Sequence, residues 1–238
     1  MKKIALLALG ACMFIATADA QKQTGGEKNL QVLFAPLGGN PISLNYGGIS
    51  FRKFSADGTS AWRCNLFIGL NSKTDVTAGD TNGVDMPELE EVESGMTISI
   101  RPGYEKHFAG TEKLSPYWGA EVSFSMTTAK VETDNAPLNA AGTARDLLVT
   151  TKEGDGASTT FGLGLVAGFD YYIAKNLSLG AEFGFGFSTT SEADIENQSL
   201  DTDSSGNNIV VNDPVSPGGT SMNVGPNFIG QFKLGWLF

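Results

Sequence analysis

Residues 220–238 alternate along their length. The even positions read Thr220, Met222, Val224, Pro226, Phe228, Gly230, Phe232, Leu234, Trp236 and Phe238. The odd positions read Ser221, Asn223, Gly225, Asn227, Ile229, Gln231, Lys233, Gly235 and Leu237. A period of two belongs to a β-strand, whose successive side chains point to opposite faces. One face here is apolar and aromatic, and the other is mostly small or polar. Such a strand suits hydrocarbon on one side and a polar interior on the other.

Seven further segments share the pattern: 29–36, 42–54, 62–71, 94–108, 117–130, 160–174 and 177–189. In 94–108 the apolar set is Met96, Ile98, Ile100, Pro102, Tyr104 and Phe108, and the opposite set includes Arg101, Glu105 and His107. In 117–130, Trp118, Ala120, Val122, Phe124 and Met126 oppose Tyr117, Gly119, Glu121, Ser123 and Ser125. The parity of 42–54 switches at Gly47-Gly48, which a glycine bulge or a slip in register would explain. Connections alternate in length. Residues 55–61, 109–116 and 175–176 are short; 72–93, 131–158 and 190–219 are long. Eight strands with short turns at one end and long loops at the other predict an all-β fold. The expectation is an eight-stranded antiparallel up-and-down transmembrane β-barrel with short periplasmic turns and three long extracellular loops. The connection 37–41 is short although it falls on the loop side.

The first residues read as a targeting segment. Lys2 and Lys3 precede an apolar run, and Ala18-Asp19-Ala20 is an A-x-A cleavage site. A lipoprotein box at Leu9-Gly10-Ala11-Cys12 is the rival reading. The domain expectation is a signal peptide over 1–20, a short periplasmic tail over 21–28 and a barrel over 29–238. Cleavage leaves Cys64 as the sole cysteine, so no intrachain disulfide forms. No later stretch approaches the ~20 consecutive apolar residues of a spanning helix.

The formal charge is −10, and −11 once Lys2, Lys3 and Asp19 are removed. An acidic chain repels phosphates, which argues against nucleic acid as a partner. The acid is concentrated in the long connections: 72–93 nets −6, 131–158 nets −3 and 190–219 nets −6.

The inward faces carry their own charges. The bases are Arg52, Arg63, Arg101 and Lys233; the acids are Glu105, Glu121, Asp170 and Glu182. Most of them fall near the short turns or the last strand. An eight-stranded barrel is just wide enough for side chains to fill it. Matched charges are tolerable there and unmatched ones are not. The expectation is a lumen ion-pair network acting as a plug. Mutual satisfaction within a rigid barrel competes with a proton or small-ion path, or a gate that opens when partners swap.

Other motifs carry less chemistry. Gly162, Gly164 and Gly168 imitate a dinucleotide fingerprint, but they alternate with Phe161, Leu163 and Phe169 inside one strand rather than opening a helix. They read as small residues making room for charged ones. Asp201, Asp203 and Ser205, followed by Gly206, begin like a calcium loop, yet Asn212 stands where the bidentate Glu belongs. A flexible acidic loop is the plainer account, with loose divalent cations bridging to lipopolysaccharide as the alternative. His107 is the single histidine; no cluster of partners marks it as a catalyst or ligand, so it reads as a lumen-rim residue. Trp62, Trp118, Trp236, Phe54, Tyr104, Phe108, Tyr171 and Phe238 read as an interfacial aromatic girdle.

The signal segment, the eight alternating strands and the terminal aromatic together resemble the outer-membrane β-barrel or "porin-family" proteins, similar to the small OmpA/OmpX-type barrels. The resemblance covers 29–238, including the amino-terminal hairpin segment 41–52. It implies integral residence in the outer membrane of a Gram-negative cell, with lipid, lipopolysaccharide and the barrel-assembly machinery as partners. It also implies a C-terminal assembly signal, here Phe232, Trp236 and Phe238. Lys233 stands where that signal has Gly, and Gly235 is displaced by two. No peptidoglycan-binding domain follows the last strand, so no cell-wall tether is expected. Neither enzyme activity nor a cofactor is expected. The expected role is structural or surface-interactive, through acidic external loops and whatever protein partner they meet. The alternative is a narrow porin-like channel or an accessory subunit of an outer-membrane transport complex.

Overall fold

The computed structural model describes residues 22–34, 48–77, 88–135, 148–202, 208–212 and 215–238. The expected signal peptide, the connection 37–41, most of the amino-terminal hairpin segment, Gly47, Asp203 and Ser205 lie outside the described residues. Eleven strands are named within them. They are β1 Lys28–Phe34, β2 Gly48–Phe54, β3 Ser60–Thr77, β4 Leu89–His107, β5 Leu114–Asn135, β6 Leu148–Glu153, β7 Ser158–Ala174, β8 Leu177–Glu192, β9 Glu196–Thr202, β10 Asn208–Asn212 and β11 Thr220–Leu237. Every pairing between them is antiparallel.

Eight strands close on themselves in the order β1, β2, β3, β4, β5, β7, β8, β11 and back to β1. They correspond to the eight segments read from the alternation. The seam pairs Leu30 with Trp236 and Val32 with Leu234. Closure gives every strand of the ring two neighbours, which removes the exposed edges an open sheet would present.

The long connections differ from the expectation of plain loops. β3 and β4 run on to Thr77 and from Leu89, so 72–77 and 89–93 pair as the two arms of a hairpin. β5 leaves β7 after Thr127 and pairs instead with β6 from Lys130 to Asn135. β6 then pairs with β9, and β9 with β10, to form a sheet extension beyond the ring. These segments are rich in Thr, Ser, Asn and Glu, and their apolar residues come in short runs (Leu148-Val149, Ile209-Val210-Val211) rather than in alternation. Their pairing with one another, not burial, sets their conformation.

Two irregularities occur in the ring. On β7 one extra residue lies between Tyr172 and Ala174, beside the tight Lys175-Asn176 turn. On β11, Asn227 faces Gly184 and Gln231 faces Glu182, so four steps on one strand match two on the other. The excess is even, so the face of each following residue is preserved. That is why the alternation of the last strand resumes in phase after the bulge, at Phe232.

Exposure is inverted relative to a water-soluble domain. Trp62 is 69% exposed, and Leu165, Phe185 and Trp236 are each more than half exposed. Arg52, Glu105 and Asp170 are 0% exposed. Soluble proteins rarely leave apolar patches of that extent uncovered or bury so many charges. Glycines on the inner face create the space for large neighbours. A Cβ on Gly168 would lie 2.6 Å from the Tyr117 hydroxyl, and one on Gly180 2.6 Å from Asp170 Oδ1.

At the end holding the short turns, residues 22–27 cross the ring. Lys22 N donates to Glu112 O at 2.7 Å and Gly26 N to Ser55 O at 2.9 Å, bridging two turns. The β2–β3 turn is closed by Gly58, whose φ of 68° suits glycine. Its Asp57 carboxylate accepts from Ser55 Oγ at 2.6 Å, Thr59 Oγ1 at 2.8 Å and Thr59 N at 3.1 Å. Hydrogen bonds from Ser55 and then Thr59 hold that carboxyl down at about 2.

Candidate functional site

Because inward residues recur at every second position, each ring strand can supply one or two side chains to a single level of the interior. β2 supplies Arg52, β3 Arg63, β4 Arg101 and Glu105, β5 Glu121, β7 Asp170, β8 Glu182 and β11 Lys233. The structure brings all eight together. Arg52 Nη1 lies 3.0 Å from Glu105 Oε2, and Arg52 Nη2 lies 2.8 Å from Asp170 Oδ2. The second contact is an ion pair without hydrogen-bond alignment. Arg63 forks onto Glu182, with Nη1 to Oε2 at 2.7 Å and Nη2 to Oε1 at 2.9 Å. The same Nη1 donates to Glu105 Oε1 at 2.8 Å. Lys233 Nζ lies 3.2 Å from Glu182 Oε2 and 3.7 Å from Asp170 Oδ1. Arg101 Nη1 reaches Glu121 Oε1 at 3.8 Å, and Arg63 Nη2 reaches Glu121 Oε2 at 3.5 Å.

Four cations and four carboxylates thus form one connected, electrically balanced layer. Fork geometry and charge assistance make the Arg63–Glu182 pair the strongest of these contacts by type. Balance matters because desolvating each ion costs several kcal/mol, which only partners in good geometry offset.

Tyr117 is at the centre of the layer. Its hydroxyl donates to Glu182 Oε2 at 2.5 Å and accepts from Lys233 Nζ. Lys233 Nζ also stands 4.3 Å above the ring centroid, and the Arg52 guanidinium carbon 5.8 Å from it. Tyr117 shares its strand face with Glu121; that parity was visible in the sequence, its role as a hub was not.

Below the layer, the contents of the ring correct two expectations. His107 is not at a rim: it is buried, with Nε2 3.2 Å from Glu105 Oε2 and Nδ1 2.9 Å from Ser115 Oγ. Phe54 does not join the outer aromatics. It is 2% exposed, packs edge-on against His107 at 5.2 Å, and lies under the Arg52 guanidinium at 5.4 Å. Its position two residues after Arg52 puts it on the inner face by parity alone. Gln23, from the segment before β1, reaches into the same space. Its Nε2 donates to Ser115 Oγ at 2.7 Å. No periodicity marked Gln23, because it precedes the first strand.

Above the layer, a cavity of about 670 Å³ opens between the strands. Its lining runs from Glu182 and Glu121 beside the layer to Asn71, Thr97 and Ser125 farther along the strands.

The remaining site residues fall as follows. Phe232, Trp236 and Phe238 are outward and more than half exposed, while Lys233 between them points in and is buried. Trp62 and Tyr104 pack edge-on outside the ring, their centroids 5.4 Å apart. Asp201 belongs to β9, paired with Ile209. Among the described residues there is no group of three or more His, Cys, Asp or Glu side chains able to hold a metal.

The model of the OmpA-OmpF-like porin family matches residues 59–208, from the turn before β3 to the first residue of β10. No curated protein and no solved structure matches the chain.

Proposed function

The chain belongs to the OmpA-OmpF-like porin family, and from that premise we propose that this outer-membrane, porin-like protein crosses the bilayer as an eight-stranded β-barrel. The observation that carries the proposal is the inverted exposure: tryptophan, phenylalanine and leucine outside, matched ions inside. The outward set fits hydrocarbon, and the ring satisfies the backbone without water. The short turns and residues 22–27 then face the periplasm, and the β6–β9–β10 extension faces outward. Cleavage of residues 1–20 and delivery by the barrel-assembly machinery belong to the same reading, with Phe232, Trp236 and Phe238 as the assembly signal.

The ion-paired layer acts as a plug, and the protein works as a surface anchor whose acidic outer strands and loops meet lipopolysaccharide through bridging divalent cations, or meet a protein partner. It is not an enzyme on this reading. The Ser115–His107–Glu105 chain has the outline of a proton relay, but Ser115 is capped by Gln23 and Glu105 is held by Arg52 and Arg63. Neither group is free to act on a substrate. A second reading, a narrow channel or a subunit of a transport complex, is favoured by the cavity above the layer.

Planar-bilayer recording separates the two readings. The plugged anchor gives no steady, large conductance; a persistent open level would refute it. Removing residues 80–91 or 194–213 should impair surface binding and spare the ring, and loss of assembly in both deletions would contradict the division into anchor and loops.

A further inference from the structure

We propose that the cavity above the ion-paired layer is a binding site for a small, neutral, polyhydroxylated solute of the sugar class, held between Arg101 and Glu121 and stacked on Phe67. The inference rests on the barrel reading only for the side from which the solute enters.

The argument starts from hydrogen-bonding capacity left over at the cavity floor. Arg52, Arg63 and Lys233 each have a carboxylate within 3.2 Å. Arg101 does not: its one ion pair spans 3.8 Å, and its side chain is 29% exposed. Glu121 is the complementary case. Its side chain is 10% exposed, yet its contacts to Arg63, Asn65 and Arg101 measure 3.5, 3.5 and 3.8 Å. These are long for charge-assisted hydrogen bonds, which cluster near 2.7–2.9 Å. A buried carboxylate and a half-free guanidinium therefore face the same space, each short of a close partner. One hydroxyl group fills that need. It can accept from Arg101 and donate to Glu121 at once, because a 3.8 Å gap is short enough for a single oxygen to bridge.

Charge decides which ligand class fits. The layer is balanced at four against four, so an ionic ligand would add an uncompensated charge to a desolvated interior. A neutral ligand leaves the balance intact. The approach to the cavity adds a second filter. Lys73, Lys130 and Lys152, on β3, β5 and β6, already pair with Asp75, Glu132 and Asp155. Their neighbours Glu90, Glu91 and Glu153 leave an acidic excess that turns anions away.

The part of the lining formed by β3, β4 and β5 matches a sugar, while Leu165, Phe183 and Phe185 make the β7–β8 part apolar. The Phe67 ring lies over Gly69, where an added Cβ would stand 3.0 Å from its Cζ. Glycine thus lets an aromatic ring lie flat along the wall. Thr97, Ser99 and Ser125 add hydroxyls around it. Volume agrees, since ligand sites commonly measure about 300–1,000 Å³ with a few convergent polar groups.

The test is isothermal titration of the full-length protein in detergent with glucose and maltose, and with glucosamine and gluconate as cationic and anionic analogues. Saturable binding of a neutral sugar, at least about tenfold tighter than either charged analogue, is the expected result. Arg101→Gln and Phe67→Leu should each weaken it by about tenfold, and circular dichroism should show the parent's β spectrum for both, so that lost binding is not lost folding. The proposal is overturned if neither sugar binds, if a charged analogue binds as well, or if both variants bind like the parent. Monodispersity without detergent would instead sink the barrel reading, so the two failures are told apart.

Discussion

At the residue scale, the interior depends on completeness more than on any single bond. Arg63 bridges Glu105, Glu182 and Glu121, so truncating it strips three carboxylates of a partner at once. Arg63→Ala should cost about 3–5 kcal/mol, the usual penalty for breaking a buried pair from one side. Urea unfolding in a fixed detergent measures it. Lys73→Ala, which breaks an exposed pair with Asp75, should leave the midpoint unchanged. Asp57 makes a pH prediction. Its carboxyl is held at about 2 in the fold, below the ordinary value of 3.8. A depressed acid contributes stability that is complete above the unfolded value and is lost as pH falls through the folded one. The β2–β3 turn should therefore loosen between about pH 4 and pH 2, and Asp57→Asn should abolish that step. Carbon-detected NMR titration of the carboxyl reads it directly, and a midpoint near 4 would contradict the Ser55 and Thr59 hydrogen bonds.

Elements differ in how legible they were from sequence. The eight ring strands declared themselves because each carries an apolar face, and a face repeats every two residues. The same parity placed Arg52, Arg63, Glu105 and Lys233 inside. It would have placed Phe54 inside too; the aromatic side chain drew it instead to the outer girdle. β6, β9 and β10 were invisible for a physical reason. Their few apolar residues come in short runs such as Ile209-Val210-Val211 rather than in alternation, and their partners come from distant connections, so no local pattern records them. The bulge in β11 was hidden by its own evenness. That feature is testable. Deleting one residue between Asn227 and Gln231 would flip the register ahead of the seam and send the Lys233 ammonium outward. Deleting two would restore parity. The one-residue deletion should fail to assemble, and the two-residue deletion should retain folded ring. Resistance to protease in detergent distinguishes them.

For the whole molecule, fold and chemistry follow from one inversion of the usual solvent preference. The layer of eight ions was foreseeable from parity, but its hub was not, because nothing in a strand pattern says which tyrosine meets which lysine. Depth was equally unreadable. Gln23 and Ser115 meet below the layer only because residues 22–27 fold back across two turns.

The seam holds a further consequence. Lys28 N donates to Phe238 O at 3.0 Å, and Phe238 N donates to Lys28 O at 2.9 Å. The two residues meet as the ends of any antiparallel hairpin do, with no gap to span. The order in which the strands are strung is therefore incidental to the shape they make. A circular permutant that joins residue 238 to residue 28 through a short glycine linker, and opens within 78–87, should close the same hoop with β4 as its new first stave and β3 as its last.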